Sequence, residues 1–431
     1  MHGSLEHDHD FDLVIDPISK IEGHAELDIK VRNSKVEDLK LKVNENKRFY
    51  TQAIRGKHYN SVPQLVSRIC GTCSIAHLNC SIEAFENALA IEPSEQTILL
   101  RKLTMYGLNI RDHAMHLYLF SLPDLFGKDS ILELEGKDEK WIKDCFDVKA
   151  SGNSLSTLVL GRAVHGMFAM IGSYAKLPEK SSMKEVSKKL LEVRDKVIDL
   201  VELFYEKELN FESPSNYVCL GSEDFDFLSG EIISSEGYCI PEKHYWNHVE
   251  RVILPYSQST GFKFEGQRYR VGALSRLNLN RGSLNKKTKK DCSKFLSCFP
   301  SHDVFHNNLA QAIEIVHCID SSIDLLESLE FKQEEKPLPK KIGGKGIGAI
   351  EAPRGLLYYM VEIDEKGIIK HAEICTPSQQ NQINMEHDLK ELIPLYLDQG
   401  KEKVRLELER LIRAYDPCFS CASHFLKINW R

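Results

Sequence analysis

Two Cys-x-x-C pairs at opposite ends of the chain constrain its fold more than any other feature. Cys70 and Cys73 lie in RICGTC (68–73), and Cys418 and Cys421 lie in PCFSC (417–421), with Cys418 348 positions after Cys70. Each pair places two thiolates on one side of a single turn, the local bite for one soft metal ion, and the two pairs together make a four-sulfur set. In a zinc ribbon the two knuckles usually lie within about 20 residues, because a metal closing a short loop nucleates folding. A chain of 431 residues, 42% of them hydrophobic, buries a full core without such a staple. The spacing points to a reaction centre to which the fold brings both ends of the chain, with a structural zinc site left open as the alternative.

The other eight of the twelve cysteines are scattered singly, too sparse for a disulfide scaffold, and read as small buried hydrophobes. The net charge of −7 comes with no basic stripe. The one short basic run, Lys286 to Lys290 with Lys294, contains no aromatic residues, which excludes a nucleic-acid surface. The longest apolar stretches, MHLYLFSL (115–122) and STLVLG (156–161), fall far short of a transmembrane segment, and Met1 is followed by polar His- and Asp-rich residues. These features lead us to expect a cytoplasmic protein.

Periodicity predicts an α+β fold, predominantly α: a long-helix bundle with a small N-terminal β-sheet and short peripheral β-hairpins. After a polar tail (1–11), residues 12–44 alternate apolar and polar around RNSK, as a β-hairpin does, within an N-terminal β region reaching residue 60. Residues 61–431 form the helical bundle, with β insertions around 220–282 and 347–375. Helices are expected from Ser74, between Pro93 and Pro123, up to about Leu177, from Ser181 to Leu209, and over 301–331. EEKPLPKKIGGKG (334–346) reads as a loop. Within it begins GKGIGA (344–349), which fits G-x-G-x-x-A but follows no predicted strand and so carries no dinucleotide site.

RICGTCSIAH (68–77) and DPCFSCASH (416–424) resemble the two signature motifs of the large, catalytic subunit of nickel-iron hydrogenases. KIEGH (20–24), IRDHAMH (110–116), GRAVHG (161–166), EAPRG (351–355) and TPSQQN (376–381) resemble further family blocks in the right order. GTCSIAH and VGALSRLNLN (271–280) are most similar to the cytoplasmic, cofactor-coupled branches. The resemblance implies reversible heterolytic cleavage of dihydrogen. It implies that Cys70, Cys73, Cys418 and Cys421 bind nickel, that Cys73 and Cys421 also bridge to an iron carrying CO and CN ligands, and that Cys418 takes the proton. Thiolate suits a metal that changes oxidation state, because soft sulfur shares its electrons. The resemblance further makes Glu22 the proton gate and Arg354 a guanidinium above the open metal site, with Asp112 and Asp416 orienting and neutralising it. Pro353 and Ser378 fall where the family lines the iron ligands, and His77 falls at a hydrogen-bond donor near the electron exit.

Two features depart from the family. Thr51 stands where a carboxylate usually holds magnesium with the terminal histidine, here His424, and a hydroxyl is a much poorer ligand for that hard cation. Only seven residues, FLKINWR, follow His424, either a retained tail or a short cleavable extension. The chain has too few spare clustered cysteines for its own iron–sulfur cluster. The resemblance therefore implies an iron–sulfur small subunit, a further electron-transfer subunit and maturation factors as partners, meeting the chain near Arg68 and His77. Retention of all four cysteines argues against the nickel-free relative of this fold, a quinone-site subunit of respiratory complex I.

Overall fold

The computed structural model describes residues 9–45, 49–206 and 209–423. Its centre is built by amphipathic helices. Lys180–Glu206 buries Met183, Val186, Leu190, Val193, Val197, Leu200 and Phe204 on one stripe. That stripe packs on His306–Ser328, which is buried on nearly every face and is the central helix of the bundle. Glu95–Ala114 packs on the same central helix and also on Lys140–Leu160.

Local chemistry sets the helix ends. Ser94 caps Glu95–Ala114 by accepting from the Thr97 N–H, directly after Pro93. The chain then continues through wider turns, Met115–Ser121, into Leu122–Leu125, where Pro123 sits in a first turn that needs no N–H from it. The helix expected to end near Leu177 instead spans Lys140–Leu160. It stops at Gly161, whose left-handed backbone (φ 75°) caps it.

Phe11–Ile15, Ala25–Arg32 and Lys35–Val43 form an antiparallel sheet, its hairpin turned by Asn33 and Ser34, both with positive φ. Its apolar face, including Leu27 and Leu41, shares a second core with the helices Pro377–Leu392 and Lys401–Ala414. Residues 216–270 hold the expected short strands.

Gly344–Ala352, Gly355–Ile363 and Ile369–Cys375 form another antiparallel sheet, so GKGIG is strand rather than the tail of a loop. The reason lies in packing. A Cβ at Gly346 would fall 2.0 Å from the Ala84 carbonyl oxygen, and one at Gly348 would fall 2.3 Å from that of Cys80. Without side chains at these positions, the helix Ser74–Leu89 lies directly on the sheet. The turn between the first two strands carries Pro353 and Arg354 to the helix end that begins after Cys73. Among the described residues, no helix is long and apolar enough to cross a membrane.

Candidate metal centre

The first cysteine pair sits at a helix start. Cys73 is the residue before Ser74–Leu89, where the helix N-terminus favours a thiolate. Its loop is pinned from two sides. Arg111 donates to the carbonyls of Thr72 and Ala163, and Tyr50 Oη donates to the Arg68 carbonyl at 2.9 Å. Arg111 lies within IRDHAMH, yet its backbone-clamping role was not foreseen; its only signal was its position beside Asp112.

The second pair has little helix of its own and is held by tertiary contacts. Ser378 Oγ accepts from the Cys418 N–H at 2.8 Å, and the Phe419 N–H donates to the Glu22 carbonyl at 2.9 Å. Glu22 and Cys418 form an isolated parallel β-bridge. A Cβ at Gly23 would fall 2.7 Å from the Ser420 nitrogen, so the glycine of KIEGH is what permits this approach.

The four sulfurs converge. The Sγ atoms of Cys70, Cys73, Cys418 and Cys421 all lie within 4.8 Å of one another and all four residues are buried. Cys418 Sγ is 3.3 Å from Cys70 Sγ and 2.9 Å from Cys421 Sγ, and none is in a disulfide. Burial pushes the Cys418 and Cys421 thiols well above the ordinary range, whereas hydrogen bonds from its neighbours hold Cys70 well below it. Four buried thiols so close cannot all ionise unaided, so the donor set fits a soft cation that would compensate the charge.

Around the sulfurs stand the other candidates. Glu22, half-buried, has Oε2 2.9 Å from Cys418 Sγ and Oε1 3.6 Å from Cys70 Sγ. Burial, then the charge of Cys70, pushes its carboxyl up to about 7. Arg354 Nη1 donates to Asp112 Oδ2 at 2.6 Å and to Cys73 Sγ at 3.4 Å. Its Nη2 pairs with Asp416 Oδ1 at 2.9 Å outside hydrogen-bond geometry, and among the described residues its Nε has no acceptor. A buried guanidinium with unused N–H groups beside four thiols fits an acceptor carried by a bound metal group. Pro353 is buried next to Arg354, and its carbonyl accepts from Arg276. His77 Nε2 is 3.5 Å from Cys421 Sγ. His77 is buried, 1% exposed, whereas Arg68 and Gly71 are exposed. Thr51 lies in the short helix Tyr50–Ile54, and His424 and the tail lie outside the described residues.

Gln311 was missed altogether. Its Nε2 donates to Asp416 Oδ2 at 2.9 Å, deep in the bundle. Polar residues at helical spacing on a buried face (Asn307, Gln311, Glu314) were the available signal.

The family model for nickel-dependent hydrogenases matches residues 48–158 and 243–424, spanning both cysteine pairs. The chain belongs to the nickel-dependent hydrogenase family. This hydrogenase chain is 31% identical to the sulfhydrogenase 2 subunit alpha of Pyrococcus furiosus over 420 residues, which covers 96% of this chain and 99% of the relative. It is 26% identical to the NAD-reducing hydrogenase HoxS subunit beta of Cupriavidus necator, covering 96% of this chain and 95% of that one. In fold it is similar to a solved NAD+-reducing [NiFe]-hydrogenase in the H2-reduced state, with a TM-score of 0.89 and 22% identity, covering 96% of this chain and 100% of that one. The family's nickel dependence agrees with the four-sulfur set, and neither the zinc reading nor the complex I reading is favoured.

Proposed function

We propose that this chain is the catalytic subunit of a nickel-iron hydrogenase that cleaves H2 reversibly into two protons and two electrons. Cys70, Cys73, Cys418 and Cys421 would hold the nickel, with Cys73 and Cys421 shared with an iron that carries carbonyl and cyanide. When bound, the metals supply the Lewis acidity and electron storage that H–H cleavage requires. The observation that carries this reading is the Glu22 carboxylate 2.9 Å from the sulfur of Cys418.

The residues divide the work. Cys418 Sγ receives the proton and passes it to Glu22 Oε2, and half-exposed Glu22 releases it toward solvent. Arg354, aimed by Asp112 and Asp416, presents fixed N–H groups to the open side of the site, where a preorganised cation stabilises developing negative charge. Ser378 accepts from the Cys418 N–H, which leaves its own O–H to donate to an iron-bound cyanide, and Pro353, beside Arg354, would line the iron ligands. Magnesium would need a carboxylate other than one at position 51.

Electrons must leave through a partner. Apart from the four at the site, no three cysteines, histidines or carboxylates among the described residues gather as a ligand set. We assign the exit to an iron–sulfur small subunit docking where the cysteine loop reaches the surface, at Arg68 and Gly71. The neighbouring 162–167 segment, tied to that loop by Gln64 and His165, adds Met167, which is 57% exposed. A further electron-transfer subunit, maturation factors that load the metals, and a cytoplasmic site of action belong to the same reading.

Protein purified anaerobically should hold nickel and iron near one each per chain and show carbonyl and cyanide infrared bands; zinc without those bands would end the proposal. Glu22→Gln should keep both metals and slow hydrogen–deuterium exchange with solvent by about 10²-fold or more, because an amide accepts a hydrogen bond but relays no proton. Full exchange activity in that variant would exclude Glu22 as the gate.

A further inference from the structure

One buried contact near the cysteines has no part in the scheme above. His77 lies one turn into Ser74–Leu89, and Tyr359 lies in the middle of Gly355–Ile363; they are 1% and 0% exposed. Because Gly346 and Gly348 let that helix rest on the sheet, the two side chains meet. His77 Nδ1 is 2.7 Å from Tyr359 Oη, with the rings edge to face at 6.0 Å. On the far side of the same imidazole, Nε2 is 3.5 Å from Cys421 Sγ.

Hydrogen-bond directions follow from which groups own hydrogens. Cys421, read as shared by two metals, would bind both as thiolate, its lone pairs engaged, and so would have no S–H to offer. The contact with Cys421 is then a hydrogen bond only when His77 Nε2 carries the hydrogen. A neutral imidazole with Nε2–H has a bare Nδ1, which can only accept. Tyr359 is the group placed to fill it, and burial pushes its phenol well above the ordinary range, so the O–H is retained.

We propose that Tyr359 is a positioning residue: its O–H, by occupying Nδ1, fixes His77 in the Nε2–H tautomer and so maintains the hydrogen bond to the Cys421 thiolate. The inference rests on reading Cys421 as a ligand shared by nickel and iron. A donor on a ligating sulfur withdraws electron density and favours the reduced metal, as outer hydrogen bonds do at other metal–thiolate sites. Tyr359 thereby acts on the potential of the centre without touching a ligand. Without its oxygen, the imidazole is free to take the Nδ1–H form, in which Nε2 has nothing to donate.

The test uses the anaerobically purified holoenzyme with its partner subunits. If the wild type shows no carbonyl or cyanide bands, the reading of the centre fails, separately from the tautomer. With bands present, Tyr359→Phe keeps the ring and loses only the oxygen. At equal nickel content, its carbonyl band should move to lower wavenumber and the midpoint potential should fall. An unchanged band and potential overturn the proposal. In a His77→Ala background, Tyr359→Phe should add nothing to either readout; the same shift there would mean that Tyr359 acts through packing, and the proposal fails. If Tyr359→Phe does not hold its metals, selective 15N-histidine labelling of the wild-type holoenzyme reads the tautomer directly, with His77 assigned from His77→Gln. Nε2–H is expected, and Nδ1–H overturns the proposal.

Discussion

Two buried arginines meet at the Ala352–Arg354 turn, Arg276 holding its carbonyls and Arg354 mounted on it, and are finished differently. Arg276 places Nε and Nη2 on the two oxygens of Glu314 at 2.6 and 2.7 Å, and Nη1 on Glu351 at 2.7 Å. It also donates to the carbonyls of Ala352 and Pro353 at 3.1 and 2.9 Å, so every face of its guanidinium meets protein. Arg354 is as deeply buried, yet its Nε finds no acceptor among the described residues and one of its Nη1 contacts is a cysteine sulfur. A buried cation whose donors are all matched is structural, because nothing is left for a ligand to satisfy. A buried cation left open toward a thiol cluster is preorganised for something the chain does not supply. The closed arginine also holds the carbonyls of the turn on which the open one is mounted.

The largest effect should come from opening the closed site. Arg276→Met leaves the Glu314 carboxylate without its main counter-charge; although burial opposes ionisation, that arginine now holds Glu314 below the ordinary carboxylate range. Removing one partner of a buried, hydrogen-bonded ion pair costs about 3–5 kcal/mol, so the variant should unfold at markedly lower denaturant concentration and accumulate poorly. A midpoint close to the wild type would mean that the network is dispensable and that the contrast between the two arginines is only geometric.

Arg354→Lys should do the reverse. Its charge still compensates Asp112 and Asp416, so unfolding and nickel content should stay close to the wild type. Hydrogen-dependent dye reduction should fall by roughly 10²- to 10³-fold, the scale for losing a preorganised donor, since an ammonium lacks the planar fork. Wild-type turnover would remove the guanidinium from the mechanism, and loss of nickel would make Arg354 a structural residue after all.

The same contrast explains what could be read from the sequence. The four cysteines, Glu22, Arg354, Asp112 and Asp416 were legible because they sit in dense local motifs, and the structure brings all of them together. Gln311 and Tyr359 were not, because they reach the site from the middle of long elements whose neighbours are ordinary core residues; Arg111, in the last turn of its helix beside Asp112, was not because nothing local marks the distant carbonyls it meets. Helical periodicity placed Lys180–Glu206 well, since one apolar stripe repeats along its length. It overran Leu160 because the residues after Gly161 remain largely apolar while the backbone turns away. GKGIGA misled in the other direction: glycines chosen for close helix–sheet approach look, in isolation, like loop or phosphate-binding glycines.

The smallest effect, and the one that sharpens the comparison most, concerns how firmly the open arginine is aimed. Asp416 Oδ1 pairs with Arg354, while its other oxygen accepts from Gln311 Nε2; Gln311 Oε1 in turn faces His116 Nδ1 at 2.5 Å. Gln311→Met keeps the volume of this fully buried side chain but removes the donor to a charged oxygen. Such a hydrogen bond is worth about 1.5–3 kcal/mol, and only the part that displaces Arg354 reaches the chemistry, so turnover should fall about ten-fold with nickel retained. Asp112 still holds the other side of the guanidinium, which is why the loss should stay well short of that for Arg354→Lys. If the two variants lose equal activity, Asp416 alone sets the aim of the arginine and Asp112 serves only to neutralise it. If Gln311→Met turns over like the wild type, Asp112 suffices, and the open arginine is braced from one side only.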